Sequence, residues 1–456
     1  MAAQCTSPAT PCTIHEAAQG AGVMSADEVV IAPGSYSDTA GDLGGGNVVT
    51  PVAGNVHGAV GLARPVVTAN VPTDGPFIVN AGVTLSRIEV DTADAVGNVQ
   101  LQGGVVDGLI ARSSRAGAIV CRHAFGTIRN SACLATGTGS WALGLDANGS
   151  PSRTLTVRNV TAVATGSGSR GASYRFFASP GSSDTVDIVN SITRGTSSDV
   201  VALAVQVNGF CPESVTISLD YSDYAFASAT AGVGCTTGAG SASVTAAGTL
   251  NNQTTAPMLA ADGYHQVAGS ITIDNGSSAS VSGTQDIDGQ ARTIGAAADI
   301  GADELRHPSS SAVSCDPTSI FVGAATTCTA TVTDTAAASA SPPSGSVTFG
   351  TGGTGVGSFG SGGVCTLAPS TATASSCQLM YTPLDVGTGT HQVTGSYGGG
   401  GSHDPSQGTF STLTVAERPP TTAPPTTTPT ARKKCKKRRH KPAAAAKKKK
   451  CKKKRR

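Results

Sequence analysis

The stretch that decides the fold runs from residue 104 to residue 227 and reads as five similar lines. These are GVVDGLIAR (104–112), GTIRNSACLAT (126–136), LTVRNVTAVAT (155–165), VDIVNSITRGT (186–196) and VTISLDYSDYAFA (215–227). Each line has a short β-branched run, an Asn or Asp, and then a second short run. The polar residues lie 23, 29, 31 and 30 positions apart. This loose spacing is typical of a solenoid whose coils carry loops of different lengths.

The shared Asn or Asp predicts a corner in each coil. Both residue types tolerate left-handed backbone angles and can hydrogen-bond to their own backbone. An Asn that recurs at one corner can stack on its neighbours and cap the turn. We therefore expect a structural corner ladder of Asp107, Asn130, Asn159, Asn190 and Asp220. The predicted fold is all-β, beginning with a right-handed parallel β-helix.

The composition agrees with stacked coils. The chain of 456 residues has 58 Gly and only 4% aromatic residues. Small residues suit a β-helix, because its strands stack about 4.8 Å apart and tight corners favour Gly. Short Val/Ile/Thr runs bounded by Gly and Ser are frequent, whereas apolar stripes with helical spacing are nearly absent.

Four regions are expected along the chain. Residues 1–306 form the β-helix with a short N-terminal capping helix, for which Thr13 and Glu16 provide a capping box over Ile14–Gln19. Seven short strand-like runs predict a β-sandwich at 312–416. Residues 417–431 are a Pro/Thr-rich linker, and like-charge repulsion should keep the Lys/Arg tail, 432–456, disordered.

Two parts of the chain also resemble known families. The opening CT…EA…DEVVIAPGSY and the ordered closing motifs, which are Tyr264-His265, IDNG (273–276), DIDGQAR (286–292) and DIGADE (299–304), resemble secreted bacterial right-handed parallel β-helix proteins with choice-of-anchor type closing coils. Residues 312–416 resemble a bacterial immunoglobulin-like domain, although their cysteines form local pairs and the chain's one Trp lies elsewhere. The resemblance implies fold and export, and no activity.

Charge is divided sharply along the sequence. Residues 432–456 hold 17 Lys plus Arg and no acidic residue, whereas the rest has 14 Arg, no Lys and 29 acidic residues, a net charge of 14 − 29 = −15. The tail could bind anionic cell-wall polymers, acidic lipid headgroups or nucleic acid without sequence specificity, or it could be an inert solvated segment. We expect a wall polymer or another polysaccharide as the partner.

Ten of the 12 cysteines fall into near neighbours, which predicts five structural disulfides: Cys5–Cys12, Cys121–Cys133, Cys211–Cys235, Cys315–Cys328 and Cys365–Cys377. Local pairs in a β-rich chain are typical of exported proteins; the alternative is a cytosolic protein with free buried thiols. We expect an extracellular or cell-surface monomer whose signal peptide is missing from this chain. No run approaches the ~18 apolar residues of a transmembrane segment.

Candidate ligand-binding residues lie where aromatic and charged side chains cluster. Aromatic faces can stack on sugar rings, and two clusters qualify: Tyr174, Arg175, Phe176 and Phe177, and Asp220, Tyr221 and Tyr224. Trp141 is a further candidate. The alternative for each is a structural role in a corner or against the coil surface.

Neither a catalytic residue nor a metal or cofactor site is expected, since HExxH, Gly-x-Ser-x-Gly and phosphate-loop motifs are missing and the EF-hand spacing does not fit. The predicted function is therefore an exported structural or adhesion-type surface protein that binds glycans. The alternative is a polysaccharide lyase or glycoside hydrolase on the β-helix.

Overall fold

The computed structural model describes residues 12–38, 41–43, 48–69, 75–92, 99–147, 152–177, 182–206, 210–212, 214–232, 235–236, 240–246, 251–336, 340–400, 402–408 and 411–420. Within these ranges the chain is all-β, apart from one α-helix and two short 3₁₀ turns. None of the described helices has the length and apolar character needed to cross a bilayer. Cys5 and the predicted tail, 432–456, lie outside the described residues, as does all but the start of the linker.

The single α-helix precedes the first strand and is the predicted one. It is α1, Ile14–Gln19, and its capping box is complete: the Glu16 backbone N–H donates to Thr13 Oγ1, and the Thr13 N–H donates to Glu16 Oε2. Ile14 and Ala18 are buried in the core of the strands that follow. The helix thus covers apolar residues at the N-terminal end of that core.

Nineteen strands join into one parallel sheet. In chain order they are β1 Glu28–Ile31, β2 Ser35–Ser37, β3 Asn55–Gly58, β4 Val66–Thr68, β5 Phe77–Asn80, β6 Thr84–Ser86, β7 Glu89–Thr92, β8 Val99–Asp107, β9 Ile110–Ser113, β10 Ile119–Ala135, β11 Trp141–Ala147, β12 Thr154–Ala164, β13 Arg170–Phe177, β14 Ser183–Val189, β15 Ile192–Gly195, β16 Ser198–Val205, β17 Ser214–Asp220, β18 Ala227–Thr230 and β19 Ser241–Ala246.

Most of these strands pair with strands that lie two or three places away in the sequence. β8, β10, β12, β14, β17 and β19 form one run of parallel neighbours, and β11, β13, β16 and β18 form another. Alternate residues of each strand enter a continuous apolar core, which includes Leu143, Leu155, Ile188 and Ile217. Each strand therefore depends on the neighbouring levels both for its backbone partners and for its core contacts.

The predicted corner is a line of left-handed residues. The register aligns Ser86, Asp107, Arg129, Arg158, Val189 and Asp220 from strand to strand. The residue after each of them has positive φ: Arg87 (54°), Gly108 (64°), Asn130 (46°), Asn159 (54°), Asn190 (51°) and Tyr221 (44°). Asn130, Asn159 and Asn190 are buried at the positions that the sequence predicts for them.

Asp107 and Asp220 lie at this corner one residue before the left-handed position, which corrects the predicted ladder. Gly108 occupies the left-handed position at its level because it has no Cβ to clash. Asp107 instead accepts a hydrogen bond from the Asn130 amide, and Asp220 accepts one from the Tyr221 backbone N–H. The two carboxylates cap the corner from outside the ladder.

A serine ladder that the sequence analysis missed runs beside the asparagines. Ser131, Ser191 and Ser222 each donate to the carbonyl two residues earlier. Each also accepts a backbone N–H from the preceding level, the donors being Leu109, Val160 and Ser191. These buried hydroxyls connect neighbouring levels where the corner interrupts the strand pairing.

The closing segment, residues 251–305, returns along this corner almost without strands. The Asn190 side chain accepts from the Ser277 N–H and donates to the Ser277 carbonyl. Asn159 accepts from the Ser282 N–H, and Asn130 donates to the Ser282 carbonyl. The asparagine side chains therefore hold the closing segment against the sheet, in addition to capping the turns.

Buried charge fixes the closing segment internally. Arg292, 2% exposed, donates to the carbonyls of Asp299, Gly301 and Ala302 and forms an ion pair with Glu304 (3.1 Å). The Asp299 carboxylate accepts backbone N–H groups from Asp274 and Leu305. The motif residues 286–304 thus replace the missing strand ladder with side chain to backbone hydrogen bonds.

A histidine lies between two carboxylates near the start of this segment. His265 Nδ1 contacts Asp262, and its Nε2 lies 2.6 Å from Asp288 Oδ2. The hydrogen bond with Asp288, and a further one with Asp262, raise the pKa of His265 to about 9 despite partial burial. The imidazole is therefore protonated at neutral pH and bridges two turns of the closing segment.

The remaining strands form two smaller, mainly antiparallel sheets. The first contains β20 Ser309–Asp316, β22 Thr326–Asp334, β24 Gly357–Phe359, β26 Ala368–Pro369 and β27 Ala374–Pro383. The second contains β21 Ser319–Phe321, β23 Ser346–Thr351, β25 Val364–Thr366, β28 Thr390–Tyr397, β29 Ser406–Gln407 and β30 Ser411–Ala416. Their inner residues, among them Val332, Tyr381 and Val393, form a separate core. Parallel and antiparallel sheets belong to one compact unit that ends at Ala416.

Four of the five expected cysteine pairs lie within the described residues at disulfide distance: Cys121–Cys133, Cys211–Cys235, Cys315–Cys328 and Cys365–Cys377. Cys121–Cys133 closes a loop within β10, and Cys315–Cys328 joins opposite residues of β20 and β22. Each bond thus connects neighbouring backbone segments.

Replacing Asn190 should measure what the corner contributes to stability. Asn190→Ala removes both hydrogen bonds to Ser277, about 1 kcal/mol each, and places Ala in a left-handed conformation that costs about 1–2 kcal/mol. We expect denaturant unfolding to show a loss of about 3 kcal/mol. Asn190→Gly loses the same hydrogen bonds without the backbone penalty, so it should be less destabilised. Equal losses would contradict the backbone part of this account.

Candidate functional site

An open depression of about 310 Å³ lies beside the only Trp of the chain. The Trp141 surface, as we define it, comprises its lining residues: Gly117, Ile119, Gly139, Trp141, Gly168, Arg170 and Arg175. The guanidinium carbons of Arg170 and Arg175 each lie 5.5 Å from the centre of the Trp141 ring. One aromatic ring is thus flanked by two cationic groups.

Three neighbouring strands position these side chains. The register aligns Ile119 of β10, Trp141 of β11 and Arg170 of β13, and Arg175 lies further along β13. The Trp ring rests against Gly144, where an added Cβ would lie 3.1 Å from the ring and 2.2 Å from the Ser173 carbonyl oxygen. The absence of a side chain at Gly144 therefore allows the indole to lie on the sheet.

Glycines keep the adjacent edge of the depression open. Gly117, Gly139 and Gly168 have φ values of 70°, 68° and 71° at three successive levels. The Gly117 N–H donates to the Thr138 carbonyl and the Gly139 N–H to the Ser167 carbonyl, which stacks the three turns. An added Cβ at any of them would meet no atom within 4 Å. The turns thus form a low ledge beside the aromatic ring.

The electrostatic environment of this surface favours an anion. Burial lowers the pKa of Arg170, and the neighbouring charge of Arg175 lowers it further. Arg170 is held in place by a hydrogen bond from its Nη1 to Ser173 Oγ (3.2 Å). None of the described residues that line the depression is acidic. An anionic group placed between the guanidiniums would relieve their repulsion and could accept paired hydrogen bonds.

The structure separates the predicted cluster at 174–177 into two environments. Tyr174 and Phe176 are fully buried in the parallel-sheet core, where the Tyr174 hydroxyl lies 3.2 Å from His123 Nδ1. Strand alternation explains this, because residues 174 and 176 share the inward face and Arg175 points the other way. Their two rings are therefore unavailable to a surface ligand, which corrects the proposed stacking role. The side chain of Phe177 lies outside the described residues.

The second predicted cluster lies at the left-handed corner. Asp220 and Tyr221 form the turn itself, and the Tyr224 backbone N–H donates to the Gln253 carbonyl. The neighbouring Asp223 is fully buried against Arg194, with Asp223 Oδ1 2.5 Å from Arg194 Nε. Burial raises the pKa of Asp223 to about 6. These contacts hold successive levels together, so Asp220, Tyr221 and Tyr224 fit the structural alternative better than a ligand site.

The Trp141 surface corresponds to a second sequence repeat. Residues 136–141 read TGTGSW and residues 165–170 read TGSGSR, 29 positions apart. The repeated TG-x-GS places a left-handed Gly and then the Trp or Arg at the same position of successive levels. This repeat is separate from the Asn corner, so the spacing of the asparagines does not reveal it.

No protein-family model matches this chain, and neither a curated protein nor a solved structure shows significant similarity to it.

The single Trp makes the charge of this surface measurable. We expect iodide to quench the fluorescence of Trp141 more strongly than caesium does, because Arg170 and Arg175 concentrate anions near the ring. The Arg170→Gln/Arg175→Gln double variant should bring the two quenching constants together. Stronger quenching by caesium in the unmodified protein would contradict a cationic surface.

Proposed function

We propose that this protein is an exported cell-surface protein that binds acidic polysaccharide on its Trp141 surface. The parallel sheet would form a right-handed β-helix that carries the binding surface, and the antiparallel sheets an immunoglobulin-like sandwich. The observation that carries the proposal is the placement of two guanidinium groups, each 5.5 Å from the centre of one Trp ring, at an open depression.

The strand pairing supports the β-helix. A chain that coils around one axis pairs each strand with the equivalent strand of the next coil, two or three strands later in sequence. That offset recurs through the large sheet, and the corner keeps its register across six levels. The resemblance of the closing motifs to choice-of-anchor type proteins points to the same fold.

The cysteine pairs support export. Four pairs at disulfide distance lie in both the parallel and the antiparallel parts of the chain. Disulfides persist mainly in oxidising compartments such as the cell exterior. An acidic body with a basic tail also suits a surface where anionic polymers are abundant.

The chemistry of the surface selects a uronic acid polymer over a neutral glycan. Arginine binds carboxylates through paired, charge-assisted hydrogen bonds. Trp141 is only 9% exposed, so its part is to position the two guanidiniums through cation–π contacts. Three levels of a parallel sheet span about 10 Å, so the glycine ledge is long enough for a short oligosaccharide. A neutral sugar would offer the two guanidiniums no carboxylate to bind.

The second candidate is the alternative left by the sequence, a polysaccharide lyase or glycoside hydrolase on the same sheet. In a lyase, Arg175 would neutralise the uronate carboxylate while a base removes the neighbouring proton and the glycosidic oxygen leaves, and Arg170, 5.5 Å from the same Trp ring, is the group placed to act as that base. New unsaturated uronate ends, detected by ultraviolet absorbance, would identify the lyase, whereas binding without product supports the first proposal.

Arginine variants test the binding surface in the full chain. We expect Arg170→Gln/Arg175→Gln to weaken binding of polygalacturonate or alginate by about tenfold or more, because each charge-assisted contact contributes about 1.5–3 kcal/mol. Calorimetry at constant ionic strength would measure the affinities. The matched control is Arg158→Gln, an arginine of the same sheet that does not line the Trp141 surface and contacts Asp187, and it should bind like the parent. Equal affinity in all three proteins would exclude the Trp141 surface.

The tail should act separately, as an electrostatic anchor. Removing residues 432–456 deletes 17 positive charges, so we expect binding to isolated cell walls at low salt to be abolished, as measured by co-sedimentation. The tail contribution should also fall steeply as salt is added. Unchanged sedimentation of the shortened protein would dismiss the anchoring role.

A further inference from the structure

Three buried side chains converge where the closing segment meets the antiparallel sheets. His307 precedes β20, Asp334 ends β22, and His403 lies in the loop between β28 and β29. They are 7%, 5% and 1% exposed. His307 Nδ1 lies 2.8 Å from Asp334 Oδ2, and His403 Nε2 lies 3.0 Å from the same oxygen. We name this group the His307–Asp334–His403 cluster.

We propose that the His307–Asp334–His403 cluster binds one divalent transition-metal ion of the zinc class. Two imidazole nitrogens and a carboxylate oxygen are donors that zinc and cobalt accept, and three protein ligands are sufficient for a tetrahedral ion with one further ligand. Zinc lies about 2.0–2.1 Å from such donors, so tetrahedral donors stand about 3.3 Å apart. The observed 2.8 and 3.0 Å separations need widening by only a few tenths of an ångström.

The surroundings of His403 supply a further oxygen ligand. His403 Nε2 is 3.0 Å from Asp334 Oδ2 and 3.1 Å from the Ser341 carbonyl oxygen. Without a metal, one N–H is shared between these two oxygens, whereas an ion in front of the nitrogen could be ligated by both. The Ser341 carbonyl is thus a ready fourth ligand. On the other side of the ring, His403 Nδ1 lies 3.2 Å from Ser402 Oγ, a contact that fixes the ring orientation.

Backbone hydrogen bonds hold Asp334 in position to act as a metal ligand. Its Oδ1 accepts the Ala336 N–H (2.7 Å) and its Oδ2 the Ser341 N–H (2.7 Å), which hold the carboxylate in place. With both oxygens held in this way, Oδ2 faces the ring nitrogens of His307 and His403.

A second group of potential ligands, His265, Asp288 and Asp303, lacks this convergence. Both ring nitrogens of His265 face carboxylates, Asp262 on one side and Asp288 on the other. Asp303 Oδ2 accepts the Gln266 backbone N–H. One imidazole stretched between two acids is a protonated bridge, whereas two imidazoles directed at one carboxylate oxygen can surround an ion. This second group therefore serves as the matched control.

Cobalt titration of the full chain tests the site. Cys435 and Cys451 of the tail are first alkylated so that thiolates do not compete, and the protein is freed of metal with a chelator. We expect visible d–d absorption that saturates at one Co²⁺ per chain and disappears when Zn²⁺ displaces the cobalt. The melting temperature should rise with added Zn²⁺, because an ion that binds the folded state stabilises it.

Variants separate ligation from folding. Asp334→Asn keeps the shape of the side chain. Each of the three single variants, Asp334→Asn, His307→Ala and His403→Ala, should weaken cobalt affinity by about 100-fold or more. His265→Ala should bind like the parent. Circular dichroism of the metal-free variants checks that they fold, and Asp334→Asn remains informative if an alanine variant does not. The proposal is overturned by a parent protein without saturable binding, by a folded Asp334→Asn variant of unchanged affinity, or by loss of binding in His265→Ala.

Discussion

The pairing of each strand with the strands of neighbouring levels is the constraint on which the whole parallel sheet depends. The backbone N–H and C=O groups of each strand need partners on neighbouring strands. The levels must therefore keep one register over a long stretch of chain. The left-handed corner maintains that register: Asn130, Asn159 and Asn190 follow aligned residues on consecutive strands. Buried Ser hydroxyls then join the levels where strand pairing stops. Both features are local, yet their repetition determines the form of the entire sheet.

The same register creates the candidate binding surface. Once the levels are aligned, residues at equivalent positions in different lines of sequence become neighbours in space. Trp141 and Arg170 are 29 residues apart in the chain but lie opposite each other on adjacent strands. Gly117, Gly139 and Gly168 become a continuous ledge for the same reason. The aligned register thus converts a sequence repeat into a linear array, which suits the linear polysaccharide that we propose as the ligand.

The repeat made its strands and three of the five corner residues predictable, and the capping box of Thr13 and Glu16 made the helix predictable, because each depends on a short local pattern. Asp107 and Asp220 were misplaced by one residue, since Gly and Tyr at the true corner position do not resemble Asn. Aromatic side chains at positions 174 and 176 suggest a ligand contact, but the period-two alternation of β13 directs both into the core. The three residues of the His307–Asp334–His403 cluster lie in three separate segments of the sequence. A motif of fixed spacing could therefore not predict it.

The return of the closing segment along the Asn corner constrains the order in which the chain can acquire its structure. Asn130 and Ser282 are 152 residues apart, and Thr161 and Ala302 are 141 apart. Contacts of such long sequence separation lower the free energy of the chain only after the entropy cost of ordering the intervening segments has been met. We therefore expect the strands between residues 99 and 246 to pair before residues 277–302 find their partners. The closing segment would then dock last, on a parallel sheet that has already formed.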